Sequence, residues 1–79
     1  MNIEQLVKEL VSRQLDVPVE KIENHHSFID DLGGDSLDTV EMVLELEDDL
    51  GIVVEDEVAE NLRTVQMVID YLNTLNLKV

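Results

Sequence analysis

Apolar residues in this chain recur at helical spacing and nowhere alternate as they would along a strand, so the pattern restricts the fold to helices. Ile3, Leu6, Val7, Leu10, Val11 and Leu15 share one side of a helix over residues 3–15. Val17-Pro18 is expected to end it, because proline donates no amide and restricts the residue before it. A second helix is predicted from Asp35 to about Leu50, with Gly51 as its C-terminal cap. Asp35 suits the N-cap, accepting from the amide of Leu37 or Asp38, and Asp38 adds negative charge where the helix dipole favours it. Thr64 similarly caps a last helix carrying Val65, Val68, Ile69, Leu72 and Leu75, and a short helical turn over Asp56 to Asn61 brings Val58 and Leu62 as its apolar residues. Residues 16–35 read as a long loop tied down by Phe28 and Leu32 and ending in Gly33-Gly34; a loop of that length in a compact domain often has a function. The expected fold is all-α: a small bundle of three longer helices and one short one, with that loop between the first two.

The whole of residues 1–79 makes one domain, near the lower limit at which a core can hold without disulfides or metal. So short a chain rarely supplies both a scaffold core and an enclosing cleft, which argues against an enzyme. The absence of cysteine excludes a disulfide framework, a thiolate metal site and any protein thiol. No stretch approaches the ~20 apolar residues of a membrane helix, and residues 1–30 hold no basic segment followed by an apolar run. The expectation is a soluble, cytoplasmic monomer without stable membrane insertion. The net charge of -14 is concentrated, for no Lys or Arg occurs between Lys21 and Arg63. Self-repulsion there opposes folding, nucleic acid and anionic membrane are poor partners, and basic protein surfaces are good ones. Charge alone is equally compatible with a solvated face that only confers solubility.

The second helix has two apolar stripes where a small bundle requires one. Thr39, Met42, Val43, Leu46 and Leu50 fall on one side, while Leu37, Val40 and Leu44 fall on another, bordered by Glu41, Glu47 and Asp48. The second stripe either packs under the long loop or the short helix, or forms an exposed strip rimmed by carboxylates, as a partner-binding face would.

Ser36 stands at the start of this helix, in the run Asp35-Ser36-Leu37-Asp38 directly behind the glycine pair. As a nucleophile it would need a base and an oxyanion site, and the only histidines, His25 and His26, lie in the loop with no sign of an enclosed pocket. As part of a calcium loop from Asp30 to Glu41 it fails, because Leu32 stands where an oxygen ligand belongs and Asp35 where the sharp turn requires glycine. Loose divalent-cation binding by Asp30, Asp31, Asp35 and Asp38 would still relieve repulsion. A modification site fits best, since a phosphoester on Ser36 would sit at a helix N-terminus where amides and dipole favour an anion.

The run Asp31-Leu32-Gly33-Gly34-Asp35-Ser36-Leu37-Asp38-Thr39-Val40-Glu41 closely resembles the prosthetic-group site of bacterial acyl carrier proteins of fatty-acid synthesis. The resemblance runs from Ile3-Glu4 to Thr64-Val65-Gln66 and Ile69-Asp70-Tyr71-Leu72. It implies a four-helix bundle whose Ser36 receives 4'-phosphopantetheine from coenzyme A through a holo-carrier-protein synthase, a separate phosphopantetheinyl transferase. Growing acyl chains are then carried as thioesters between fatty-acid synthesis enzymes and acyltransferases with basic docking patches, and the working thiol comes from the arm. The implied partner contacts are Asp35, Leu37, Asp38, Val40, Glu41, Leu44, Glu47 and Asp48, and an apolar interior able to open is expected for the acyl chain. The chain departs from the family outside the Ser36 motif. Leu50 replaces an aromatic residue, Val53-Val54-Glu55 an acidic-Ile-Pro run and Val58 an acidic residue, which argues against a second cation site near residue 53. Two other readings stay open: a carrier in polyketide, peptide or specialised lipid assembly, and an unmodified acidic adaptor or cation-responsive binding protein.

Overall fold

The computed structural model describes residues 2–75. Its helices are α1 (Ile3–Leu15), α2 (Ser36–Leu50), α3 (Asp56–Asn61) and α4 (Val65–Thr74). Asn2 caps α1, its side-chain oxygen accepting from the Gln5 amide at 3.2 Å. The helix stops at Asp16, which turns into the left-handed region (φ 56°) and donates its amide to the Ser12 carbonyl. The helix thus ends at Leu15 as the spacing predicts, with Asp16 rather than Pro18 making the stop. Pro18 instead leads a 3-10 turn at Val19–Lys21, within the stretch expected to be all loop.

The core gathers around α1, which packs against both α2 and α4. Its Val7, Leu10 and Val11 are almost fully excluded from solvent. From α2 come Met42, Val43 and Leu46, and from α4 Val65, Val68, Ile69 and Leu72, the faces their spacing predicts. Leu75 is an exception: α4 ends at Thr74, so Leu75 lies past the last full turn and stays 37% exposed. Thr64 caps α4 as expected, its hydroxyl accepting from the Met67 amide at 3.1 Å. Arg13 of α1 reaches Glu45 at 3.5 Å and Asp49 at 4.0 Å, so acidic α2 draws its neutralisation from the neighbouring helix. Those groups are largely solvated, which limits the pairs to at most about 1 kcal/mol each.

The loop before α2 is held more firmly than Phe28 and Leu32 alone would hold it. Ile22 and Phe28 are buried, whereas Leu32 is half-buried. The backbone contributes as well: Phe28 donates to the Arg63 carbonyl (3.1 Å), Val65 to His26 (3.1 Å) and Gln66 to Asn24 (2.7 Å). An isolated antiparallel bridge joins Ser27 to Thr64. The loop is thereby fastened to the connection between α3 and α4.

The two glycines before α2 serve different ends. Gly33 has φ 75° with open space around it, so it supplies a left-handed turn. Gly34 supplies close approach: a Cβ there would lie 2.8 Å from Leu15 Cδ2 and 3.0 Å from the Phe28 carbonyl oxygen. Gly34→Ala is expected to destabilise the domain by about 1–3 kcal/mol through overpacking. Urea denaturation checks this, and an unchanged midpoint would mean that Leu15 yields without cost.

Candidate functional site

Ser36 is the first residue of α2 and is exposed. The turn around it is fixed by a reciprocal capping box: Asp35 Oδ1 accepts from the Asp38 amide at 2.9 Å, and Asp38 Oδ2 accepts from the Asp35 amide at 3.1 Å. Just upstream, the Gly34 amide donates to the Phe28 carbonyl at 2.8 Å, which ties the turn to the loop. Among the described residues the amides of Ser36 and Leu37 have no acceptor, and the Ser36 hydroxyl makes no hydrogen bond. A phosphoester on that oxygen would meet two free amides at the positive end of a helix dipole. The residues present thus fit a phosphate-linked arm.

Among the described residues, nothing around Ser36 resembles a catalytic pair. His26 Nδ1 accepts from the Glu23 amide at 3.1 Å, and neither histidine lines the groove beside Ser36. The four aspartates of the region do not converge on one ion position among the described residues. Three of them hold backbone instead: Asp35 and Asp38 in the capping box, and Asp31 by accepting from the Ser27 amide at 2.7 Å. Attraction of cations there would act through the summed field and not through a coordination shell.

The two stripes of α2 separate cleanly. Met42, Val43 and Leu46 are buried, with Thr39 and Leu50 half-buried beside them. Leu37, Val40 and Leu44 are 63%, 53% and 57% exposed, so neither the loop nor α3 covers them. Asp35, Glu41 and Asp48 are exposed around this strip, while Asp38 and Glu47 are half-buried. Two of the acidic residues also have internal partners. Glu41 accepts from the Gln14 side chain at 2.6 Å, and Glu47 accepts from the Val54 amide at 2.8 Å. Glu47 therefore restrains the segment after Gly51, where the expected proline is missing.

Beside Ser36 lies an open groove of about 680 Å³. Ser36, Val40 and Leu44 line it from α2, Ile29 from the loop and Ala59 from α3, with Arg63 as its one basic residue. The contributions of Ile29, Ala59 and Arg63 have no local sequence signal, since they meet α2 only through the tertiary fold. The core itself holds a void of only about 10 Å³, and Phe28, Thr39, Val43 and Leu62 line both spaces, forming the partition between them.

A helical domain that presents an unengaged hydroxyl at a capped helix start, next to an apolar groove, has the geometry of a protein that carries a covalently attached arm. A family model described as a phosphopantetheine attachment site matches residues 5–72. The acyl carrier proteins of Buchnera aphidicola subsp. Acyrthosiphon pisum, strains 5A and Tuc7, are each 51% identical to this chain over 77 residues, covering 98% of it and 96% of their own length. This chain belongs to the acyl carrier protein family. Its cofactor is phosphopantetheine, and it is a carrier of acyl chains, not an enzyme. No helix among the described residues is long and apolar enough to cross a membrane.

Proposed function

We propose that Ser36 is the attachment residue, loaded from coenzyme A by a holo-carrier-protein synthase, and that the loaded chain moves acyl thioesters between fatty-acid synthesis enzymes in the cytoplasm. The observation that carries this reading is the exposed Ser36 hydroxyl, free of internal hydrogen bonds, on a turn locked by Asp35 and Asp38. When bound, the arm supplies the thiol that this cysteine-free chain lacks. The protein's own contribution is to fix the attachment turn, to offer the Ser36 and Leu37 amides to the phosphate, and to present the strip that partners read.

That strip consists of Leu37, Val40 and Leu44, rimmed by Asp35, Asp38, Glu41, Glu47 and Asp48. The carboxylates steer basic enzyme surfaces into encounter, while the small apolar area keeps the complex short-lived. Leu44→Ala, at a position 57% exposed, should leave the fold unchanged. In a chain already carrying its arm, it is expected to slow acyl transfer to a fatty-acid elongating enzyme about tenfold at low substrate, the equivalent of about 1.4 kcal/mol of docking energy. Transfer at the wild-type rate would remove Leu44 from the docking face. Loading followed by elongation only with polyketide or peptide assembly enzymes would move the carrier to a specialised pathway, and Val53, 83% exposed just beyond α2, is the feature that favours testing this.

A further inference from the structure

We propose that Glu23, His25 and His26 form a binding site for a borderline transition-metal ion of the Zn2+ or Ni2+ type, separate from the carrier face. One ligand atom from each of the three residues lies within 4.8 Å of the other two. Four-coordinate zinc, with bonds of 2.0–2.2 Å, sets its donors about 3.4 Å apart, so closure requires movements of roughly 1 Å. His25 and Glu23 are exposed and free to make them, while His26 is half-buried and holds the frame.

The backbone under the site is anchored. The Val65 amide donates to the His26 carbonyl at 3.1 Å, the Gln66 amide to the Asn24 carbonyl at 2.7 Å, and the Asn24 side chain to Gln66 Oε1 at 2.9 Å. Ligands carried by a segment docked in this way lose less freedom on binding than ligands on an open loop. Two imidazoles and a carboxylate select zinc, nickel or copper over magnesium and calcium, which require oxygen shells. This distinguishes the site from the general attraction that a chain of charge -14 exerts on any cation. Three protein ligands also leave a coordination position open to water or to a donor from another molecule.

Binding has an identifiable cost. His26 Nδ1 now accepts from the Glu23 amide at 3.1 Å, with Nε2 3.9 Å from the Glu23 carboxylate. A metal at Nδ1 takes that lone pair directly. A metal at Nε2 forces the remaining ring proton onto Nδ1, which can then no longer accept. Either way the hydrogen bond breaks, so the Glu23 amide reports occupancy.

The test is a titration of the full chain with Zn2+ in excess magnesium, followed by amide and imidazole NMR, with Ni2+ as a paramagnetic second probe. One equivalent is expected to shift the Glu23 amide and both histidine rings, and Ni2+ to broaden the same signals. His25→Gln, at an exposed position, should keep the fold and lower Zn2+ affinity by about tenfold or more. Unchanged affinity in His25→Gln, or shifts confined to the aspartates around Ser36, would overturn the assignment and leave only diffuse attraction of cations to acidic surface.

Discussion

Ser36→Ala is expected to abolish phosphopantetheine loading while leaving the protein folded. The hydroxyl is exposed and makes no internal hydrogen bond, so its removal orphans no partner. Ser36 is the first residue of α2, and a surface change of this kind shifts stability by no more than about 0.5 kcal/mol. The capping box survives, because it is made by Asp35 and Asp38. The other hydroxyls lining the groove are engaged: Ser27 Oγ accepts from the Asp30 amide at 3.2 Å, and Thr39 Oγ1 donates to the Asp35 carbonyl at 3.3 Å. Loss of loading would thus be a chemical loss at one oxygen. Intact-protein mass spectrometry after incubation with coenzyme A and a phosphopantetheinyl transferase should show one added arm on the wild type and none on the variant. No gain on the wild type would sink the attachment reading, and equal gain on the variant would move the arm to another residue.

Phe28→Ala should have the largest effect on stability. The ring is 2% exposed and is one of the residues dividing the groove from the interior void. Its truncation is expected to cost about 3–5 kcal/mol, transfer and cavity terms together. A domain of this length typically has about 4–12 kcal/mol in total. The melting midpoint should accordingly fall by about 15 °C or more. The effect has a functional side. The Phe28 amide and carbonyl hold Arg63 and Gly34, so loosening this residue frees the loop from the connection ahead of α4 and unsettles the turn that presents Ser36. A drop of only a few degrees would show that Ile22 and the backbone bridge to Thr64 hold the loop without the ring.

Phe28 also illustrates how legible the chain is. That it anchors the loop is readable, because it is the sole phenylalanine of the chain and lies in a mostly polar segment. Its backbone pairing with Arg63 is not, since amides and carbonyls are the same at every position. The ends of α2 and the start of α4 are readable for the opposite reason: Asp35, Gly51 and Thr64 act within a turn of their own positions, and capping chemistry is written in side-chain type. The end of α1 at Leu15 is readable from the spacing, but the residue that makes the stop is not: Pro18 is the stronger breaker by residue type, while Asp16 takes a left-handed conformation that aspartate adopts only occasionally. Glu47 reads from the sequence only as a carboxylate bordering the second stripe, yet it also accepts from the Val54 amide seven positions away, a contact that depends on how the chain folds back after Gly51.

The sequence by itself determined the four helices, both caps of α2, the N-cap of α4, the placement of Ser36 at a capped helix start and the existence of two apolar stripes on the second helix. Each of these rests on spacing or chemistry within a few residues. Only the tertiary structure decided that the second stripe, Leu37, Val40 and Leu44, stays open beside a groove. Periodicity states which residues share a face, but whether another part of the chain covers that face depends on contacts between segments distant in sequence. Here α1 covers one face of α2, and the loop and α3 stop short of the other.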